Sequence, residues 1–260
     1  MANISVETRG HVLCIGINRP DKRNAFSLDM YRDMAAAYGR LDRDPELRCG
    51  LLFAHGDHFT AGLDLSEWAS EFAAGRFPPI DDDAVEPFGL DPDNRLSKPL
   101  VVATQGICFT AGIEFMLAGD IRVAADNTRF GQIEIKRGIY PVGGGTIRFI
   151  QSIGWGNAMR YLLTGDEISA DEAHRMGLIQ ELTPVGQQFD RAFEIARRVA
   201  AQAPLGVQAT LKSSRLSLDA GERAAIEKLL PDLIPIMNSE DAQEGVQSFV
   251  ERREAVFKGR

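Results

Sequence analysis

The chain is poor in the residues that build disulfide scaffolds and metal centres. Among its 260 residues are 3 cysteines and 4 histidines. Cys14, Cys49 and Cys108 include no Cys-x-x-Cys pair and are odd in number. They read as reduced thiols packed as small apolar groups, which predicts a cytoplasmic setting. His11, His55, His58 and His174 lack metal-ligand spacing, so no metal is expected. No Gly-x-Ser-x-Gly occurs, which disfavours a serine hydrolase. The run Gly143-Gly144-Gly145-Thr146 lacks the lysine of a P-loop and fits no dinucleotide fingerprint. No apolar run approaches the roughly 18 residues of a membrane helix. The N-terminus has no basic region followed by an apolar stretch, so no signal peptide is read there. A net charge of −8 works against non-specific nucleic-acid binding.

What remains is an ordinary globular composition, 44% hydrophobic and 25% charged. The length suits one large α/β domain, or one domain with a helical appendage. Ile4 and Val6, the turn at Arg9-Gly10 and the stretch Val12 to Ile17 predict a hairpin entering a buried strand. Ser27 is a plausible N-cap, and Leu28, Tyr31, Met34, Tyr38 and Leu41 recur at helical spacing up to a stop at Pro45. Short apolar runs at 51–54, 100–103 and 121–124 alternate with helical patterns, which argues for an α/β core. Beyond Gly165 the pattern turns helical. Ser169-Ala170-Asp171-Glu172 is a capping box, Gly177 a helix stop, and 188–202 an amphipathic helix. Pro231 and Pro235 are expected to interrupt the helical stretch that follows. A last helix is expected from Ser239, with Val246, Phe249, Val250, Val256 and Phe257 on apolar faces that cover either a partner or the chain's own core. The stretch Glu67 to Arg95, with eight acidic and two basic residues and four prolines, reads as a solvated surface loop ahead of a substrate-facing lid.

Three segments carry candidate chemistry: Phe59-Thr60-Ala61-Gly62-Leu63-Asp64-Leu65, Gly106 to Glu114, and Phe130-Gly131-Gln132-Ile133-Glu134. Glycines let backbone N–H groups turn into a cavity. Two such groups make an oxyanion hole, and two glutamates can act as acid and base. Together they suggest an enzyme that makes and quenches an enolate. Glu114 falls in the first turn of a predicted buried helix, where it can serve chemistry or simply cap the helix dipole. Glu134 can equally pair with Lys136 or Arg137 at the surface.

As an ordered set these segments resemble the crotonase family of enoyl-CoA hydratases and isomerases. The resemblance is strongest over Lys98 to Leu178 and includes Gly106, Gly112, Glu114, Phe130-Gly131-Gln132, Glu134, Pro141, Gly144-Gly145-Thr146 and Leu163-Thr164-Gly165. Asn18-Arg19-Pro20 with Asn24-Ala25, and Gly62-Leu63-Asp64, add independent matches. It implies an α/β crotonase-like spiral of ββα units over residues 1–200, holding the active site. A helical C-terminal segment, 201–260, would trimerise, often into hexamers. It also implies that the N–H groups of Leu63 and Ala111 hold the thioester oxygen. Glu114 would deprotonate the attacking water, and Glu134 would supply the α-carbon proton. Arg23, Ala61 and Leu65 fall where the family contacts coenzyme A. Phe249 and Arg252 match residues that reach the coenzyme A of a neighbouring subunit. Coenzyme A is then part of an acyl-CoA substrate, and no separate cofactor is implied. Three positions depart from the pattern: Thr110 and Ala111 replace glycines, and Val142 stands where many hydratases have glycine. The leading expectation is a 2-enoyl-CoA hydratase. The alternatives are an enoyl-CoA isomerase or other acyl-CoA enolate chemistry, and, outside catalysis, an acyl-CoA or RNA-binding protein.

Overall fold

A computed structural model describes residues 2–260. The N-terminal hairpin joins β1 (Ile4–Arg9) to β2 (Val12–Ile17), antiparallel in the register Ile4 to Ile17. Helix α1 (Leu28–Arg43) follows, with the Ser27 hydroxyl accepting from Met30 N at 3.2 Å as its N-cap. Then come β3 (Cys49–Ala54), α2 (Leu65–Ala73), β4 (Leu100–Thr104), β5 (Ile107–Phe109), α3 (Ala111–Ala118), β6 (Ile121–Ala125) and β7 (Arg129–Gly131). A 3-10 turn at Glu134–Arg137 precedes α4 (Gly145–Ile153) and α5 (Trp155–Thr164). The rest of the fold is β8 (Glu167–Ser169), α6 (Ala170–Met176), β9 (Glu181–Thr183), α7 (Gln188–Ala200), α8 (Pro204–Ala220), α9 (Glu222–Met237) and α10 (Glu240–Glu251).

Two sheets result. The larger runs β1-β2-β3-β4-β6-β9, parallel from β2 onward; the smaller runs β5-β7-β8. Parallel neighbours require crossovers, and those leaving β3, β4 and β6 join or bridge the small sheet before their helix, while β2 passes to α1 without it. Thus β4 leads to β5 and α3, and β6 leads to β7 and the 134–137 turn. β3 leads to Thr60, which bridges Cys108 of β5, and then to α2. The result is a spiral of ββα turns, the α/β architecture the resemblance implies. Its consequence is that residues 61–63, 110–112 and 132–134 all follow adjacent positions in the small sheet.

Strand β2 shows why the core has two compartments. Leu13, Ile15 and Ile17 point to one face and pack with α1, α3 and the aromatic residues; Val12 and Cys14 point to the other. That second face is covered by α7, where Ala192, Ala196 and Ala200 recur every four residues and let the helix lie close to the sheet. All three cysteines are free and buried.

Three sequence expectations are corrected. The stretch 67–95 is not a solvated loop: it contains most of α2, and Trp68, Ala84, Val85 and Phe88 are buried in it. Aromatic side chains lie between its acidic ones, and Trp68 Nε1 donates to Phe26 O at 2.8 Å. Pro231 and Pro235 do not break the helix; α9 runs through both. Each proline removes one helical N–H, but both are exposed, so water can satisfy the freed carbonyls. The last helix ends at Glu251, because Arg252 takes a left-handed conformation, φ 55°. Val256 and Phe257 therefore lie in a non-helical tail that folds back, with Arg48 donating to Phe257 O at 2.9 Å. Among the described residues, no helix is long and apolar enough to cross a membrane.

Candidate active site

The first two candidate segments interlock. Thr60 N donates to Ile107 O at 3.0 Å and Phe109 N to Thr60 O at 3.1 Å, while Thr110 N reaches Gly131 O at 2.8 Å. The bare Cα of Gly62 faces Thr110, since a Cβ there would sit 1.9 Å from the Thr110 hydroxyl oxygen. Gly112 faces back in the same way, where a Cβ would lie 2.5 Å from Thr60 Cγ2. Two glycines thus let the loops carrying Leu63 and Ala111 approach more closely than side chains allow. Neither Leu63 N nor Ala111 N donates to a hydrogen bond within the described residues. Ala111 opens α3 with a negative φ, so alanine serves there as well as glycine. Thr110 has φ 51°, an uncommon setting for a β-branched residue that stores on the order of 1–3 kcal/mol of strain. Helix α3 is buried from Ala111 through Leu117, so its N-terminal dipole acts in a medium of low polarity.

Glu114 and Glu134 converge on the turn that opens α4. Glu114 is 4% exposed, and its Oε1 accepts from Gly145 N at 2.9 Å. A Cβ on Gly143 would lie 2.7 Å from Glu114 Oε2, so glycine there makes room for the carboxylate. Glu134 is 8% exposed, and its Oε1 accepts from Gln132 Nε2 at 2.9 Å. Glu134 Oε2 and Gln132 Oε1 are buried and have no hydrogen-bond partner in the protein. Gln132 Nε2 and Glu114 Oε1 each lie 3.1 Å from where a Gly145 Cβ would be, so this one glycine separates the two acids' shells. Burial pushes Glu114 up to about 7, opposed in part by the N–H groups of Gly145 and Gly143 and by the Arg148 charge. Burial also pushes Glu134 up to about 7, and the field of Glu114 adds to the rise. Two mutually repelling carboxyls near 7 can hold a single proton between them at neutral pH. Phe88 walls this space. Its ring carbons come within 2.7 Å of the Gly143 Cβ position, beside Glu114 Oε2, and it stacks on Phe115 at 4.4 Å.

The profile described as "Enoyl-CoA hydratase/isomerase" matches residues 7–260. The chain belongs to the enoyl-CoA hydratase/isomerase family. It is 40% identical to the enoyl-CoA hydratase EchA19 of Mycobacterium tuberculosis, over 98% of this chain and 96% of that one. It is 30% identical to a short-chain-enoyl-CoA hydratase of Clostridium acetobutylicum, over 99% and 98% of the two chains. A crystal structure of a probable enoyl-CoA hydratase/isomerase from Mycobacterium abscessus superposes with a TM-score of 0.95 at 47% identity, covering 99% of each chain.

The other residues that the enoyl-CoA hydratase/isomerase resemblance points to fall into two groups. Arg23 and Ala61 meet through the backbone, Ala61 N donating to Arg23 O at 3.0 Å, and Leu65 opens α2 as an exposed residue two positions past Leu63. Phe249 and Arg252 are apart from them, exposed at the end of α10, and no hydrogen bond among the described residues joins them to the first group. The sequence assigns no role to four contributors: Gln132, the Gly145 N–H, Phe88 and Arg148. Gln132 was visible two residues before Glu134. Phe88 was hidden inside the acidic stretch, and Arg148 carries no local signal.

Proposed function

We propose that the protein is an enoyl-CoA hydratase, adding water across the 2,3 double bond of an enoyl-CoA thioester. The observation that carries this reading is the buried glutamate pair, both members near 7, beside a helix N-terminus and two N–H groups without protein partners. In this reading the thioester oxygen accepts from Leu63 N and Ala111 N. Ionised Glu114 takes a proton from water as the water oxygen bonds to the β-carbon. Electrons move onto the thioester oxygen as an enolate, and protonated Glu134 then delivers its proton to the α-carbon. The product has gained one water, and the pair keeps a single proton in total. One oxyanion donor is worth on the order of 3 kcal/mol in the transition state.

Arg23, Ala61 and Leu65 would hold coenzyme A, which belongs to the substrate, and no further cofactor enters. Phe249 and Arg252 would reach a neighbouring subunit's coenzyme A in a homotrimer or a pair of trimers. The exposed apolar side chains of Leu230, Ile234, Val246 and Val250 on α9 and α10 support such an assembly. The buried free cysteines support a reducing, cytoplasmic compartment.

The test is hydration of crotonyl-CoA and longer enoyl-CoAs. Glu114→Gln and Glu134→Gln are each expected to lower kcat by roughly 100-fold or more. Either variant with intact hydration contradicts the assignment. Shifting of a 3-enoyl to a 2-enoyl thioester without hydration would select the isomerase alternative.

A further inference from the structure

The turn at residues 86–90 is tied down by charged side chains at both its donors and its acceptors. Glu86 Oε1 accepts from Phe88 N at 2.9 Å and from Tyr31 Oη at 3.0 Å, and Glu86 Oε2 accepts from Leu90 N at 3.0 Å. From α4, Arg148 Nη1 donates to Phe88 O at 2.6 Å and Nη2 to Gly89 O at 2.7 Å. Hydrogen bonds with one ionised partner are shorter and stronger than neutral ones. Arg148 is half-buried and forms no ion pair among the described residues, whereas its neighbours Arg95 and Arg215 are held by Asp219 and Asp120. Its planar fork spans two successive carbonyls, a geometry that a lysine ammonium does not reproduce.

Two consecutive glycines bring this clamp up to Glu114. A Cβ on Gly144 would lie 2.8 Å from Arg148 Nη1. One on Gly143 would lie 2.6 Å from the Phe88 ring and 2.7 Å from Glu114 Oε2. The ring is buried and stacks on Phe115, with centroids 4.4 Å and planes 13° apart. Phe88 therefore fills the side of Glu114 Oε2 that Gly143 leaves open.

We propose that Arg148 is a positioning residue that acts on Glu114 through Phe88: the guanidinium pins the 86–90 turn, and the pinned ring keeps bulk water from the carboxyl group. Burial is the largest cause of the rise of Glu114 to about 7, so a loosened ring lets the value fall toward 4.5. The Arg148 charge acts in the opposite sense and holds Glu114 down. Clamp and charge are thus separable by sign. The other charged group facing Glu114 is Glu134, whose field repels it. Arg148 is itself faced by Glu86, Arg95 and Arg215. Tyr31 of α1 adds no charge, because burial keeps its phenol protonated. The consequence for hydration rests on the hydratase reading; the state of Glu114 does not.

Infrared titration of the whole protein tests the clamp. In a Glu134→Gln background Glu114 titrates alone, and its protonated carboxyl band is the one that Glu114→Gln removes. Arg148→Lys keeps the charge and loses the fork, so the midpoint is expected to fall by about one pH unit or more. Phe88→Leu is expected to lower it likewise. The two changes together should lower it no further than Phe88→Leu alone, since they act in series. Glu86→Gln weakens the same turn from its other side and is expected to shift the midpoint the same way, which keeps the test available if Arg148→Lys does not fold. A midpoint that stays put or rises in the folded variants, or shifts that add in the double variant, would overturn the proposal. With Glu134 restored, Arg148→Lys is expected to lower kcat for crotonyl-CoA hydration about tenfold with KM nearly unchanged. A protein whose midpoint moves as stated but which never hydrates an enoyl-CoA would count against the hydratase reading and leave the clamp standing.

Discussion

Replacing Gly62 by alanine tests the interlocked loops at their tightest point. The new Cβ would lie 1.9 Å from the Thr110 hydroxyl oxygen, 3.3 Å from Thr110 Cβ and 3.5 Å from Phe109 O. Its φ of +104° is also unfavourable for any residue with a side chain. The conformation alone costs on the order of 1–3 kcal/mol, and the overlap forces the loops apart. Leu63 N follows Gly62 directly, so a shift there misaims one of the two donors proposed for the thioester oxygen, a change worth roughly 100-fold to 1,000-fold in kcat. Gly62→Ala is therefore expected to lower kcat for crotonyl-CoA hydration by about 100-fold, with Tm reduced by several degrees. Adding Thr110→Gly removes the clashing hydroxyl but leaves the strained φ, so the double variant should recover part of the activity. Hydration is followed by loss of the enoyl-thioester absorbance, and circular dichroism confirms folding. A Gly62→Ala enzyme with wild-type kcat, or a double variant no better than the single one, would refute the loop geometry as the cause.

Further outcomes follow from the buried acids and the aromatic core. Because burial raises both carboxyls from 4.5 to about 7, the folded protein favours their protonated forms. That stabilisation is complete below about pH 4.5 and is lost as pH rises through 7, at about 3 kcal/mol for an isolated group. Glu114→Gln should accordingly raise Tm at pH 8 and leave it nearly unchanged at pH 4.5; equal effects at both values would contradict the buried state of Glu114. The proposed mechanism needs the pair singly protonated, so kcat should fall on both sides of pH 7, and a flat profile from pH 5 to 9 would argue against that mechanism. Trp68→Phe leaves Phe26 O without its indole donor, and Phe26 N and O also hold Gly62 and Asp64 on either side of Leu63. A stability loss of about 1–3 kcal/mol by urea unfolding is expected, together with a lower kcat.

Much of the site was legible because its chemistry sits on short local motifs. Ser27 and Ser169 cap helices as read, since a cap is decided within four residues. Glu114 lies in the first turn of a buried helix as read, because the continuous apolar run from Phe115 leaves no exposed face. The acidic stretch misled because charge is easy to count, while the inward direction of Trp68 and Phe88 depends on distant partners, Phe26 and Phe115. Proline misled in α9 because its cost depends on whether water reaches the freed carbonyl. Gln132 beside Glu134 was within reach of local reading; Gly145 beside Glu114 was not, since 31 positions separate them and only the fold joins them.

The position of a bound thioester oxygen is the most direct test of the proposed chemistry. A crystal structure with a non-reactive acyl-CoA thioester should place that oxygen within hydrogen-bonding reach of both Leu63 N and Ala111 N, at roughly 2.7–3.2 Å, with the α- and β-carbons between Glu134 and Glu114. An oxygen that meets neither amide, or an acyl chain that runs away from the two carboxyls, would contradict it.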